Sequence, residues 1–308
     1  MKMKTINKKP SLHALCVQSM DYTDKPCNDD DLKNICLSLY ISLVFFFFMI
    51  FMIPSQIRAQ ENLGTKSDAP LEITADESLE WHRNEKVFIA KKNAVARQGD
   101  TDIGAQLLTA YYREPAKGNV EVSKVTADTD VTVKSGQTVA HGQKAEYDID
   151  SGLAVMTGNN LKMTGPDQTV TAQDRFEYWV TEGRLSAIGR AKVTRMEDTV
   201  EADKVSAIFK QNEKGERVLD SLEATGNVVI TTPTEVVTGA NGIYRASTNM
   251  AELTGGVTIK RGPNVLEGEK AEVNLTTNIS KMYGNGGSSG RVRGVFYPGS
   301  EKKPEISN

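Results

Sequence analysis

The chain has 308 residues, 39% of them apolar and 25% charged, with a net charge of −3, a balance that describes a folded chain with a thin core and excludes wholesale disorder. A mildly acidic chain without a Lys/Arg cluster argues against nucleic acid as a partner, because phosphate backbones are bound by clustered cations. All three cysteines, Cys16, Cys27 and Cys36, precede the main apolar run, so a chain processed beyond that run has no disulfide and no thiolate chemistry.

Residues 1–36 read as a poorly defined N-terminal region, with Lys2, Lys4, Lys8 and Lys9 followed by Asp29-Asp30-Asp31. Residues 37–59 read as a signal sequence or membrane anchor. The run from Leu37 to Ile53 carries no charge, Pro54 ends it, and Ile57-Arg58-Ala59 offers an imperfect small-residue cleavage site. Cleavage after Ala59 is the first expectation and a retained anchor the second. In either case the remainder is exported. Residues 60–69 read as a linker.

From residue 70 a motif returns about every 30 to 37 residues. Its copies are Ile73-Thr74-Ala75-Asp76, Ala140-His141-Gly142, Thr171-Ala172-Gln173-Asp174, Glu201-Ala202-Asp203 and Gly239-Ala240-Asn241. Each is followed by a Gly-rich step and a β-branched run, as in Thr225-Gly226-Asn227-Val228-Val229-Ile230. A unit of two short strands cannot bury its apolar face alone, so the units must stack into one elongated β domain, assigned to residues 70–283.

Alternation in Val120-Glu121-Val122, in Asp130-Val131-Thr132-Val133-Lys134 and in Phe176-Glu177-Tyr178-Trp179-Val180 predicts half-buried strands. No segment after Gln60 has a sustained helical period. Turn signals at Gly118-Asn119, Ser135-Gly136, Gly158-Asn159, Gly165-Pro166-Asp167, Gly226-Asn227, Gly255-Gly256 and Gly262-Pro263-Asn264 predict strands of about five to eight residues. Two architectures fit, a parallel β-helix or an antiparallel jelly roll. Hairpin-length connections favour the antiparallel form.

Gly284 to Gly290 reads as a Gly/Ser hinge, residues 291–298 as a terminal strand and residues 299–308 as a tail. An open sandwich of this kind has two free sheet ends. One carries Leu71 and Ile73 and the other Val292, Val295 and Phe296, and both are candidate partner edges.

These residues resemble the OstA-like, or LptA, family of periplasmic lipopolysaccharide-transport proteins. The likeness runs from about Leu71 to Pro298. It rests on Ile73-Thr74-Ala75-Asp76 with Leu79-Glu80-Trp81, on the Ala-x-x-Tyr/Phe and Thr-Gly-Asn steps, and on Arg291-Val292 to Tyr297-Pro298. The resemblance implies a V-shaped all-β jelly roll in the periplasm that joins head to tail with like domains. It implies as partners lipopolysaccharide, held by its lipid A acyl chains, an inner-membrane LptC-type protein, an outer-membrane LptD-type translocon and further copies of itself. About 215 repeat residues exceed a compact member of such a family; extra repeat units, or a role merged with an LptC-like anchored component, account for the excess.

A continuous apolar groove can shelter acyl chains at about 0.8 kcal/mol per buried methylene. The inward positions expected to line it are Leu79, Trp81, Phe88, Val95, Phe176, Tyr178, Val193, Leu222, Val228, Ile230, Ile243, Leu253, Val257 and Ile259. For each of them a plain core role is the alternative. Lys192, Arg195, Lys260 and Arg261 are expected as solvated charges at strand edges, with contact to lipid phosphates as the alternative.

Catalytic chemistry finds no residues to carry it. His13, His82 and His141 lack metal-ligand spacing, so neither a metal nor a cofactor is expected. Asp76, Asp128, Asp174 and Asp203 recur once per repeat, as structural positions do, and do not form a close carboxylate pair. The competing readings are a structural or adhesive β-solenoid and a glycan-cleaving β-helix enzyme.

Overall fold

The computed structural model describes residues 71–116, 119–213, 215, 217–274, 276–277, 279–285 and 290–298. The N-terminal region, the signal or anchor, the linker, most of the hinge and the tail lie outside the described residues.

Among the described residues there is no helix, and all pairings are antiparallel. The strands are β1 (Glu72–Thr74), β2 (Ser78–His82), β3 (Val87–Gln98), β4 (Thr101–Ala116), β5 (Asn119–Ser135), β6 (Thr138–Asp148), β7 (Leu153–Thr157), β8 (Leu161–Thr164) and β9 (Thr169–Ala172). They continue with β10 (Arg175–Trp179), β11 (Arg184–Arg195), β12 (Asp198–Gln211), β13 (Arg217–Thr231), β14 (Val236–Arg245), β15 (Met250–Arg261), β16 (Asn264–Asn274), β17 (Ile279–Tyr283) and β18 (Arg293–Val295). Together they form one sheet of 18 strands, which selects the antiparallel jelly roll over the parallel β-helix.

Most strands are longer than the sequence predicts, because several expected turns are creases inside continuous strands. Gly226-Asn227 lies within β13 and Gly255-Gly256 within β15. The ladder skips a step at Lys91/Ala94, Asp128/Val131, Ile188/Ala191, Thr225/Val228 and Thr254/Val257. Each skip holds two successive residues at positive φ: Lys92-Asn93, Thr129-Asp130, Gly189-Arg190, Gly226-Asn227 and Gly255-Gly256. A bulge of that kind bends its strand without ending it. The aligned bulges crease the sheet into two wings. One wing contains β2, β7, β10 and β17, the other β1, β8, β9 and β18.

The recurring acids fasten this crease. Asn93 donates to Asp76 at 2.7 Å and Asn227 to Asp203 at 2.9 Å, while Lys144 pairs with Asp128 at 3.0 Å. Asp174 lies against Gly189, where a Cβ would strike its carboxylate. Inside the crease each cross-strand pair contains at least one alanine or glycine, so that the wings can converge. The cross-strand pairs Ala94/Ala105, Val131/Gly142, Leu161/Ala172, Ala191/Ala202, Val228/Gly239 and Val257/Gly268 follow one another along the sheet.

The chain also repeats itself. Ala94, Ala105, Val131 and Gly142 recur at one constant offset as Ala191, Ala202, Val228 and Gly239, and β1 to β6 correspond to β9 to β14. Two copies of one unit are fused end to end, and the fusion is made by strand pairing: β7 bonds β10, and β8 bonds β9.

Candidate functional site

On the inward face of the first wing, cross-strand partners form an unbroken apolar row. It runs from Leu79 through Ala90, Leu108, Ala127, Ala145 and Met156 to Phe176, and on through Ala187, Val205, Ala224, Gly242, Leu253 and Ala271 to Met282. A second row lies two residues farther from the crease. It starts at Trp81 and Phe88, passes Tyr147, Tyr178, Leu222 and Tyr244, and reaches Val273 before ending on Ser280. The other wing mirrors this with Ile73, Ala96, Ile103, Val133, Ala140, Met163, Val170, Val193, Val200, Ile230, Val237, Ile259 and Leu266, ending on Gly294. No charged residue interrupts any of the three. The rows define an apolar interior that follows the strand-stacking direction from one end of the described sheet to the other.

Among the described residues both ends of the sheet are open: β1 and β2 bond only β3, and β17 and β18 bond only β16, so each end presents one row of backbone groups unpaired by any described strand. At the first end Trp81 stacks on Phe88 with centroids 5.4 Å apart and donates from Nε1 to the Tyr112 hydroxyl at 2.7 Å. The Arg83 guanidinium covers its exposed ring at 4.3 Å. On the opposite face of β2, Glu80 accepts from Lys91 at 2.6 Å and contacts His82 at 2.8 Å. Hydrogen bonds from Lys91 first, then from His82 and Ser78, hold the Glu80 carboxyl down at about 2.

Comparison with known proteins fits this geometry. A family model described as LptA/(LptD N-terminal domain) LPS transport protein matches twice, over residues 72–184 and 173–279. The chain belongs to this family. The two matches overlap over residues 173–184, around β10 near the start of the second copy, so the length beyond a compact member is a second unit. No curated protein matches the chain. Among solved structures it is similar to LptH, the LptA homologous periplasmic component of the conserved lipopolysaccharide transport device from Pseudomonas aeruginosa. That likeness has 17% identity over 39% of this chain and 83% of the other, with a TM-score of 0.34.

Within this LptA-type jelly roll, Phe176, Tyr178, Val193, Val228, Ile230, Leu253, Val257 and Ile259 are buried on the inward face, and Phe88 and Leu222 are half-buried there. Leu79 and Trp81 also lie on inward rows but are 58% and 48% exposed, because among the described residues β2 is an edge strand. Val95 and Ile243 are corrections. The bulge at Lys92-Asn93 shifts the alternation, so that Ala94 and Ala96 point inward and Val95 outward. Ile243 shares the outer face with its partners Glu223 and Glu252; Gly242 and Tyr244 hold the inward positions beside it.

Of the expected partner-edge residues, Ile73 lies in β1 on the inward row and Leu71 just before it is exposed. Val295 belongs to β18, while Val292 and Phe296 flank that strand and are exposed. Arg195 is a further correction, since it is buried and ion-paired to Asp167 at 2.7 Å where a solvated charge was expected. The alanines of the inward rows, among them Ala90, Ala127 and Ala187, went unread because a small side chain carries little hydropathy signal. Their recurrence at the offset of the two copies is the signal that could have found them.

Proposed function

We propose that this chain is a non-enzymatic periplasmic carrier that moves lipopolysaccharide from the inner toward the outer membrane, sheltering the acyl chains between its wings. The observation that carries this reading is the continuity of the three apolar rows across every described strand. Each methylene taken up by such a surface contributes about 0.8 kcal/mol, so a slot without catalytic groups suffices to hold acyl chains. Asp76, Asp174 and Asp203, the carboxylates a hydrolase reading would need, are engaged at the crease.

The open sheet ends support assembly by strand addition with an LptC-type protein on one side, an LptD-type translocon on the other, and further copies between them. The joint between the two fused copies supplies a pattern for such contacts. A chain with two units covers twice the distance of one before any joint between molecules is needed.

Photo-crosslinking to lipopolysaccharide tests the carrier reading. Probes at Phe176, Ile230 and Ile259 should label, while probes at the outward neighbours Glu177, Val229 and Thr258 should not. Equal labelling of both sets, or none at either, would leave a structural β protein as the better account.

A further inference from the structure

The inward face of the second wing changes character in the second copy. One inward position beyond the apolar row of Val193, Ile230 and Ile259, the side chains become Arg195, Asp198, Glu235, Arg261 and Asn264. Arg195 partners Asp198, Arg261 partners Asn264, and the Thr232 amide bonds the Glu235 carbonyl to close the turn between them. Arg195 is 7% exposed, Asp198 6% and Glu235 4%. In the first copy the positions matching Arg195, Asp198, Glu235, Arg261 and Asn264 are Gln98, Thr101, Thr138, Thr164 and Asp167, of which only Asp167 is charged, and it pairs with Arg195 of the second copy. The facing wing of the second copy stays apolar outward through Leu222 and Tyr244 to Leu219 and Ala246. The interior of the second copy is therefore lopsided, apolar along the crease and the first wing and polar along the turns of the second.

Burying charged groups costs several kcal/mol unless partners satisfy them. Asp167 meets Arg195 at 2.7 Å, but Oε1 of Glu235 is buried without a hydrogen-bond partner among the described residues. Burial pushes the Glu235 carboxyl up, against the pull of Arg261, toward the acid form that can donate a hydrogen bond. A guanidinium, a carboxylic acid and an amide on one inward line match the phosphoryl and hydroxyl oxygens of a phosphorylated sugar.

We propose that this polar row of the second copy receives the phosphorylated saccharide headgroup of an amphiphile whose acyl chains lie on the apolar rows, fixing the cargo's orientation across the interior. The inference rests on the carrier reading above. It adds that the two copies are not equivalent, with only the second reading the headgroup.

Two diazirine derivatives of bis-phosphorylated lipid A, one labelled on an acyl chain and one on the disaccharide, separate the two claims on the full-length chain. The disaccharide probe should label the segments around Glu235 and Arg261, the acyl probe those around Leu222 and Tyr244, both displaced by unlabelled lipid A. Arg261→Gln should reduce disaccharide labelling about tenfold, the usual effect of losing one charge-assisted hydrogen bond, and leave acyl labelling unchanged. Displaceable acyl labelling with disaccharide labelling elsewhere, or indifferent to Arg261→Gln, overturns the headgroup site alone. A loss of acyl labelling in Arg261→Gln also overturns it, since the side chain would then be supporting the wing. No displaceable labelling by either probe overturns the carrier reading with it.

Discussion

Leu79 and Phe176 are the same residue of the two fused copies, yet Leu79 is 58% exposed and Phe176 4%. The difference is a neighbour: Phe176 sits opposite Met156 of β7, and among the described residues Leu79 has no strand on that side. β17 resembles β7, with Met282 partnered by Ala271 as Met156 is by Ala145. Placing β17 of another molecule against β2 in the register of the internal joint sets Met282 opposite Leu79 and Lys281 opposite Glu80, a complementary charge pair. In a background lacking Cys16, Cys27 and Cys36, the pair Glu80→Cys and Lys281→Cys should oxidise to a ladder of disulfide-linked oligomers. Pairing Glu80→Cys with Ile279→Cys should not. Equal ladders from both pairs would show that edges meet without this register.

The crease can be tested at one residue. Gly226 has a φ of 77°, and a Cβ there would strike the Asp203 carboxylate. Gly226→Ala therefore combines left-handed strain with a clash and should destabilise the chain by about 1–3 kcal/mol. Asn227→Ala, which loses the 2.9 Å bond to Asp203 and puts alanine at a φ of 51° but meets no clash, should cost less, about 1–2 kcal/mol. Denaturant midpoints of the two variants give the order, and a Gly226→Ala chain as stable as the parent would remove the crease from the account.

Sequence and structure part company at these bulges. Phe176-Glu177-Tyr178 lies within one wing, so its alternation reports its faces faithfully. Val95 lies just past Lys92-Asn93, two left-handed residues without glycine, and nothing in the sequence marks the slip that turns it outward. Gly226-Asn227 and Gly255-Gly256 carry the chemistry of hairpin turns but act as creases, because the strand on each side keeps its partner. Glycine at Gly242 empties an inward position that Leu253 fills from the next strand, which made Ile243 look like the apolar choice. Arg195 is illegible in the sequence for a different reason: charge predicts exposure, and only the tertiary register shows that it faces inward.

The first edge should respond to pH. The hydrogen bond that His82 donates to the Glu80 carboxylate raises the His82 pKa above its ordinary value of 6.5. A raised folded-state pKa means that this contact contributes fully below about pH 6.5 and is lost as pH rises through the folded value. Titration of the His82 ring protons should show a midpoint that falls on Glu80→Gln substitution. An unchanged midpoint would mean that the two side chains do not meet in solution.

Glu235 gives a slope of the same sign by a different route, the cost of ionising a buried acid in place of the loss of an ion pair. Burial raises its carboxyl above the ordinary 4.5, so the folded chain holds this proton more tightly than the unfolded one. Below about pH 4.5 both states are protonated and the group is neutral in its effect on folding. As pH rises the unfolded state ionises first and stability falls, by about 1.4 kcal/mol for each unit separating the two pKa values, until the folded value is passed. Glu235→Gln is a neutral replacement of nearly the same shape, so it removes that slope. Its melting temperature should exceed the parent's by a few degrees at about pH 8 and converge with it at about pH 4. If Glu235→Gln instead melts lower than the parent at about pH 8, Glu235 is ionised in the folded chain and its pairing with Arg261 outweighs its burial.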